Sequence, residues 1–225
     1  MPIRAFVANK NMQKVYFISG LGADKRAFSF LDLSFCEPVF IDWLQPLPKE
    51  TLANYASRMR ANITEIAPTI VGLSFGGMLV TEMAKADANI KPILISSNKT
   101  STEFPFWLKV GKHVPAYKWV PNFMYKSADA RLFWFMGAKG DKQKQVVRNI
   151  IKDTNIYFTK WAIEAILKWD NTIIPPNITH IHGTADRLLP YYLTKDTIAI
   201  KEGGHLMVMD KAEEISKLLL EKISP

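Results

Sequence analysis

The stretch "TIVGLSFGGMLVTEMAKADA", residues 69–88, changes from a strand pattern to a helix pattern within a few residues. Its first part, TIVGL, is a nearly continuous apolar run, typical of a strand that is buried on both faces of a sheet. The part that begins at Phe75 predicts a helix, with almost no residues between the two. A strand that leads directly into a helix is the repeating unit of a parallel sheet covered by helices.

The same alternation of strand and helix runs through most of the chain. Further strands are predicted at KVYFISG (14–20), PVFIDW (38–43), IKPILISS (90–97), PPNITHIHG (175–183) and TIAI (197–200). An amphipathic helix is predicted at 47–63, where Thr51 is placed to cap, and another at 210–223, where Asp210 and Glu213 have capping-box spacing. We therefore predict an α/β fold with a mostly parallel, doubly wound sheet.

Residues 101–170, named here the helical insertion, interrupt this alternation. They contain 14 of the 26 Phe, Trp and Tyr residues, and patterns such as KQKQVVRNIIKD (142–153) are helical. We expect this segment to lie as a cap over one edge of the sheet, with residues 1–100 and 171–225 forming the core. About half of its aromatic rings are expected to pack within the segment itself.

The composition is that of a soluble globular protein, with 48% hydrophobic and 22% charged residues. The net charge is +8, but the helical insertion alone carries twelve Lys and Arg against six Asp and Glu. No nucleic-acid-binding motif accompanies this charge, so we expect no nucleic-acid partner. Solvated lysines are the simpler explanation, and an anionic substrate or an anionic membrane surface is the narrower hypothesis.

The location of the protein is predicted from two features that the sequence lacks. No apolar run approaches the roughly 20 residues that a membrane-spanning helix needs. The N-terminal stretch MPIRAFVANKNMQKVYF has no uninterrupted apolar core of a secretion signal. We therefore expect a cytoplasmic protein, in which the single cysteine, Cys36, is buried and forms neither a disulfide nor a thiolate metal site.

Ser74 lies between Gly72 and Gly76 at the junction of strand and helix. Such a sharp turn presents a hydroxyl to a base, but it is strained and accommodates only small residues two positions to either side. The following helix would place the positive end of its dipole beneath Ser74, with the Phe75 amide facing a developing negative charge. A hydroxyl in an ordinary tight turn is the alternative, so a base and an acid are required elsewhere.

The base must be one of four histidines. His113 lies among lysines in the helical insertion, whereas His180 and His182 share one face of a predicted strand. No carboxylate or thiolate cluster accompanies that pair, so we expect no metal site. His205, in KEGGHLMV (201–208), follows the last short strand on a glycine-rich loop, a position that suits a catalytic group.

The acid is predicted in HGTADRLLP (182–190), which places Asp186 in the loop directly after a strand. Asp196, near the start of the final strand, is a weaker alternative, and a purely turn-forming role for Asp186 is the simpler interpretation. Ser74, Asp186 and His205 follow one another in the chain order that one class of serine hydrolases requires. This order favours the catalytic interpretation of all three.

The loop ISGLGADKRAF (18–28) follows the first strand and contains Gly20 and Gly22. Its backbone N–H groups are expected to face Ser74 from the neighbouring strand and to bind an anion. The same GxG pattern occurs in dinucleotide sites, but that fingerprint needs a small residue where Lys25 stands and an acidic residue at a strand end about 20 positions later. Since neither is found, we expect no dinucleotide cofactor.

From Lys14 to the C-terminus, these motifs resemble those of the α/β-hydrolase superfamily. GLSFGG (72–77) resembles its nucleophile elbow, HGTADRLLP its acid loop, GGH (203–205) its histidine loop and SGLGAD (19–24) its oxyanion loop. The resemblance implies that the amides of Leu21 and Phe75 form the oxyanion hole. It also implies a sheet shortened at the N-terminus to about six strands, with the helical insertion in the position of the cap.

Two further departures from the superfamily pattern are visible. Ser19 replaces the histidine that usually precedes Gly20, and only 19 positions separate Asp186 from His205. The helix that the superfamily normally has between acid and histidine is therefore expected to be reduced or absent.

The resemblance implies a serine hydrolase that cleaves a carboxylic ester or thioester with an apolar part, without a cofactor. His205 would take the proton of Ser74, Asp186 would orient the imidazole, and Ser74 would form an acyl-enzyme. A serine here argues against the dehalogenase and epoxide hydrolase branches of the superfamily, which use an aspartate. A non-catalytic small-molecule-binding or signalling protein on the same fold is the alternative.

Overall fold

The computed structural model describes residues 12–114 and 116–224. The expectation that the N-terminal stretch carries no secretion signal falls largely on residues 1–11, outside the described part. Within that part, no helix combines the length and apolar character needed to cross a membrane.

Six parallel strands form one sheet in the order β2-β1-β3-β4-β5-β6. The strands are β1 (Lys14–Ile18), β2 (Glu37–Phe40), β3 (Thr69–Leu73), β4 (Lys91–Ile95), β5 (Thr179–Gly183) and β6 (Ile198–Ile200). The predicted α/β class and the predicted short sheet of about six strands are both confirmed. Because all strands are parallel, their carboxyl ends meet along one edge of the sheet, where ligands usually bind in such folds.

Eight α-helices occur in the described residues. They are α1 (Leu52–Arg60), α2 (Phe75–Ala86), α3 (Phe106–Gly111), α4 (Ala130–Met136), α5 (Asp141–Asp153), α6 (Ile156–Lys168), α7 (Met207–Asp210) and α8 (Ala212–Ile223). Between β5 and β6 the chain forms only a three-residue 3-10 turn, Tyr191–Leu193. The reduced helix expected from the short spacing of Asp186 and His205 is therefore observed.

Alternate side chains of the strands enter two separate cores, one on each face of the sheet. Val71 of β3 packs in the same core as Leu219 of α8. Its neighbour Ile70 packs in the other core with Tyr55 of α1 and Met78 of α2. Burial on both faces explains why the strands are apolar runs without polar alternation.

The start of α1 is confirmed as predicted, whereas the start of α8 is not. Thr51 precedes α1, and its hydroxyl accepts a hydrogen bond from the Asn54 amide at 3.2 Å. The predicted capping box of Asp210 and Glu213 is wrong. The residue before α8 is Lys211, and its side chain makes no capping hydrogen bond to the helix. Asp210 is instead the last residue of α7, which holds its backbone in helical geometry and removes it from the capping position.

The helical insertion connects β4 to β5 and contains α3 to α6. Val147 of α5 belongs to one core of the sheet and Phe158 of α6 to the other, so these two helices reach both faces. From Phe106 to Leu132, in contrast, no described residue is buried. The inner half of the insertion therefore packs on the fold, and the outer half is exposed.

Cys36 lies in the core, where burial raises the pKa of its thiol to about 11.

Candidate active site

Ser74 is the single residue between the end of β3 and the start of α2. Its backbone has φ 53° and ψ −118°, a conformation that a non-glycine residue adopts only when its surroundings impose it. The hydroxyl consequently lies above the sheet edge and is partly exposed, while the amide at the start of α2 lies beside it. This is the presentation that a nucleophilic serine needs.

The two glycines that flank Ser74 are fixed by close contacts between backbones. A Cβ placed on Gly72 would lie 2.6 Å from the carbonyl carbon of Gly76. A Cβ placed on Gly76 would overlap the carbonyl oxygens of Ile18 and Ser19. Because backbone cannot swing aside as a flexible side chain can, only glycine fits at both positions.

Ser74, His205 and Asp186 come together at the carboxyl edge of the sheet. The Nε2 atom of His205 lies 2.9 Å from Oγ of Ser74, and its Nδ1 atom lies 2.8 Å from Oδ2 of Asp186. His205 and Asp186 are buried, with 2% and 5% of their surface exposed. The three side chains thus form one chain of hydrogen bonds that opens toward solvent only at Ser74.

Asp186 is held as a carboxylate by several donors. Its Oδ1 atom accepts hydrogen bonds from the amides of Leu188 at 2.9 Å and Leu189 at 2.8 Å. Burial alone would raise its pKa, but the neighbouring His205 and the Leu189 amide outweigh that effect and hold the pKa below its usual value. An ionised Asp186 can orient the imidazole of His205 and stabilise its protonated form.

His182 and His180 extend this network, a role that the sequence interpretation missed. Nε2 of His182 lies 2.7 Å from the carbonyl oxygen of Leu189, which can only accept, so this nitrogen carries the proton. The Nδ1 atom of His182 therefore accepts from Nε2 of His180, at 3.1 Å. Burial lowers the pKa of both imidazoles, which keeps them neutral. His182 thus tethers the loop that carries Asp186.

Gly20 lies against Ser74, since a Cβ placed on Gly20 would be 3.5 Å from Cβ of Ser74. The next residue, Leu21, borders the same cavity as Phe75, and among the described residues neither amide has a hydrogen-bond acceptor. Two free amides beside a serine hydroxyl can bind an oxyanion.

Ser19 takes part in ordering this loop in place of the usual histidine. Its hydroxyl donates to the carbonyl of Ala23 at 2.7 Å, and the indole N–H of Trp43 donates to the same oxygen at 2.6 Å. Ser97, another residue that the sequence did not indicate, donates to the carbonyl of Ser74 at 2.7 Å and supports the turn from the neighbouring strand.

A cavity of about 430 Å³ adjoins the Ser74 hydroxyl. Its lining is almost entirely apolar, and the helical insertion supplies much of it, including Leu132, Val147 and Ile163. None of the described Lys or Arg residues lines it. The basic character of the insertion therefore lies outside this cavity, and the site itself is suited to an apolar group.

Comparison with known proteins identifies the family. The model of the alpha/beta hydrolase family matches residues 15–218, which is most of the chain. This protein belongs to the alpha/beta hydrolase family. No functionally curated protein matches the sequence significantly.

Solved structures similar to this alpha/beta hydrolase include proteins that are named for different activities. An esterase from Exiguobacterium antarcticum has 16% identity and a TM-score of 0.72, covering 95% of this chain and 92% of that one. A bromoperoxidase from Bacillus anthracis has 15% identity and a TM-score of 0.70, covering 96% and 93%. A 2-hydroxy-6-oxo-6-phenylhexa-2,4-dienoate hydrolase from Rhodococcus sp. strain RHA1 has 16% identity and a TM-score of 0.68, covering 95% and 91%. At these identities the likeness concerns the fold.

Two residues that the sequence offered as an alternative acid and as a possible base lie away from the site of this alpha/beta hydrolase. Asp196, the alternative acid, is exposed in the turn before β6, and His113 is exposed on the helical insertion. The described residues contain no cluster of three or more His, Cys, Asp or Glu side chains that could hold a metal ion.

Proposed function

We propose that this alpha/beta hydrolase is a serine hydrolase that cleaves a carboxylic ester or thioester through an acyl-enzyme on Ser74. The observation that carries the proposal is the hydrogen-bond chain Ser74–His205–Asp186, whose serine end opens into an apolar cavity. A hydroxyl, a base and an orienting carboxylate in this arrangement are the elements of acyl transfer.

In the first step, Oγ of Ser74 attacks the carbonyl carbon of the substrate while Nε2 of His205 takes the hydroxyl proton. Asp186 stabilises the imidazolium and keeps Nδ1 protonated. The carbonyl oxygen becomes negatively charged and accepts hydrogen bonds from the amides of Leu21 and Phe75. The dipole of α2, whose amino end lies beneath Ser74, favours the same charge.

In the second step, the bond from the carbonyl carbon to the leaving oxygen or sulfur breaks, and His205 donates its proton to the leaving group. A water molecule then attacks the acyl-enzyme while His205 accepts one of its protons. Release of Ser74, which regains a proton from His205, yields the carboxylic acid. The cycle consumes one water and needs no cofactor.

The cavity supports a substrate whose apolar part enters the protein. Its volume of about 430 Å³ and its apolar lining match a hydrocarbon group better than an anionic one. A phosphate or carboxylate placed there would be desolvated without a cationic partner, which costs several kcal/mol. The hypothesis of an anionic group inside the site is therefore not part of this proposal.

The proposal is tested by turnover of short and medium nitrophenyl esters and by covalent labelling with a fluorophosphonate. We expect wild type and a Ser34→Ala control, which changes an exposed serine, to react in both assays, and Ser74→Ala to react in neither. A folded wild-type protein that neither hydrolyses any ester nor labels would overturn it. Tight binding of an apolar ligand without turnover, unchanged in Ser74→Ala, would instead support the non-catalytic binding protein.

A further inference from the structure

The outer part of the helical insertion, residues 106–126, is named here the outer patch. It comprises α3 and two short 3-10 turns, Ala116–Trp119 and Asn122–Lys126, and none of these three elements buries a residue. All three pack inward on α6, so the side chains they leave exposed face away from the core. A segment of this length in which no described residue is buried contributes little to the stability of the fold.

The outer patch is nevertheless rich in large apolar side chains. Phe106 is 78% exposed, Trp107 48%, Trp119 75% and Phe123 74%, and Met124 is exposed beside them. A soluble surface rarely gathers so many exposed aromatic rings in one segment, and such patches mark interaction sites. Tryptophan in particular is enriched where one end of a side chain is in an apolar medium and the other in water.

The same segment is basic throughout. Residues 104–128 contain Lys109, Lys112, Lys118 and Lys126 and no Asp or Glu. All four lysines are exposed, and none forms an ion pair with a carboxylate of the described residues. A chain that needed these lysines only for solubility would not require aromatic rings between them. Exposed aromatic and cationic side chains in alternation are the pattern of a segment that lies in the surface of an anionic bilayer.

We propose that the outer patch docks this protein onto an anionic lipid membrane, with its aromatic rings in the headgroup region and its lysines on the lipid phosphates. The patch adjoins the active-site cavity, because Trp107 and Leu108 of α3 also line that cavity. Docking would therefore bring the cavity close to molecules dissolved in the bilayer. The inference concerns binding and does not depend on the proposed chemistry.

The test uses Ser74→Ala protein, which leaves any lipid ester intact, and co-sedimentation with vesicles. One set of vesicles contains phosphatidylcholine alone, and the other contains phosphatidylcholine with one quarter phosphatidylglycerol. We expect at least tenfold stronger partitioning to the anionic vesicles at about 0.05 M salt, and a loss of most of that binding at about 0.5 M salt.

Two variants of the outer patch separate the contribution of its lysines to membrane binding from that of its aromatic rings. Lys118→Ala/Lys126→Ala is expected to weaken partitioning about 25-fold, from roughly fivefold per lysine. Trp119→Ser/Phe123→Ser is expected to weaken it at least tenfold at unchanged net charge. The matched controls lie outside the helical insertion. Lys91→Ala/Lys222→Ala removes two exposed lysines, and Ile66→Ser removes an apolar side chain that is 82% exposed.

Absence of binding to anionic vesicles, or an equal loss of binding in the patch and control variants, would overturn the proposal. Light scattering on wild type and on Trp119→Ser/Phe123→Ser measures whether the patch is instead a dimer interface. A wild-type protein that dimerises in solution, while this variant stays monomeric, would also overturn the proposal. Because all the substituted side chains are exposed, each variant is expected to fold, and its thermal unfolding curve verifies this. A wild-type protein that binds anionic vesicles but neither hydrolyses any ester nor labels with a fluorophosphonate would refute the proposed function and leave the docking intact.

Discussion

The imidazole of His205 lies 2.9 Å from the hydroxyl of Ser74, although 131 positions separate the two residues in the chain. Ser74 reaches this point because a strained turn holds it at the end of β3, and His205 reaches it on a glycine loop after β6. The relationship is therefore a property of the parallel sheet, whose strand ends all meet at one edge.

The first prediction concerns Asp186, which accepts a hydrogen bond from His205. In Asp186→Asn the amide cannot act as an anion, and it favours the wrong tautomer of His205, so kcat for a nitrophenyl ester should fall by about 10⁴-fold. Asp196 also lies between Ser74 and His205 in the chain but is exposed, so Asp196→Asn should retain wild-type activity. A loss of less than tenfold in Asp186→Asn would show that this carboxylate does not support catalysis.

The second prediction concerns the crowded backbone beneath Ser74. Gly76→Ala should lower the free energy of unfolding by about 3 kcal/mol, because its methyl group meets backbone carbonyls that cannot move aside. Gly111→Ala is the matched control, since its methyl group would meet the flexible side chain of Leu167 and should change stability by less than about 1 kcal/mol. Urea unfolding of both variants measures the difference, and equal stabilities would contradict the steric argument.

The sequence predicted the fold because the decisive features are local. The change from strand to helix at Ser74, the parallel-sheet pattern and the Thr51 cap all depend on residues close together in the chain. The order of Ser74, Asp186 and His205 then restricted the site to three side chains, which the structure brings into contact.

Features that depend on tertiary contacts were not accessible in the same way. Capping by Asp210 was a reasonable local prediction, but α7 already holds that residue in helical geometry. The tether from His182 to Leu189 requires knowing how the acid loop folds back on β5. Exposure of Trp119 is equally invisible, because the sequence of an exposed aromatic helix resembles that of a packed one.

The third prediction follows from the two buried histidines. Burial lowers the pKa of His180 and His182, so the unfolded chain takes up protons near pH 6.5 before the folded chain does. Stability is therefore fully present above about pH 6.5 and is lost as the pH falls, by up to about 1.4 kcal/mol per pH unit for each histidine.

The measurement is the free energy of unfolding between about pH 7 and pH 5, determined by urea titration. His180→Gln keeps a donor for His182 and should show a shallower loss of stability with falling pH than wild type. His113→Gln changes an exposed histidine and should follow the wild-type curve. If all three proteins lose stability in parallel, the buried histidines do not control this dependence.

The fourth prediction concerns the length of the group that the cavity accepts. Each methylene that enters an apolar cavity contributes about 0.8 kcal/mol, so kcat/KM for a series of nitrophenyl esters should rise about fourfold per methylene until the cavity is full. Ile163→Phe adds volume at the cavity wall and should move the optimum to a shorter chain. Ile173→Phe, at an exposed position outside the cavity, should keep the wild-type optimum. Each protein is compared with itself along the ester series, so a general loss of activity cannot imitate a shift in the preferred chain length. An identical optimum in all three proteins would mean that the substrate does not occupy this cavity.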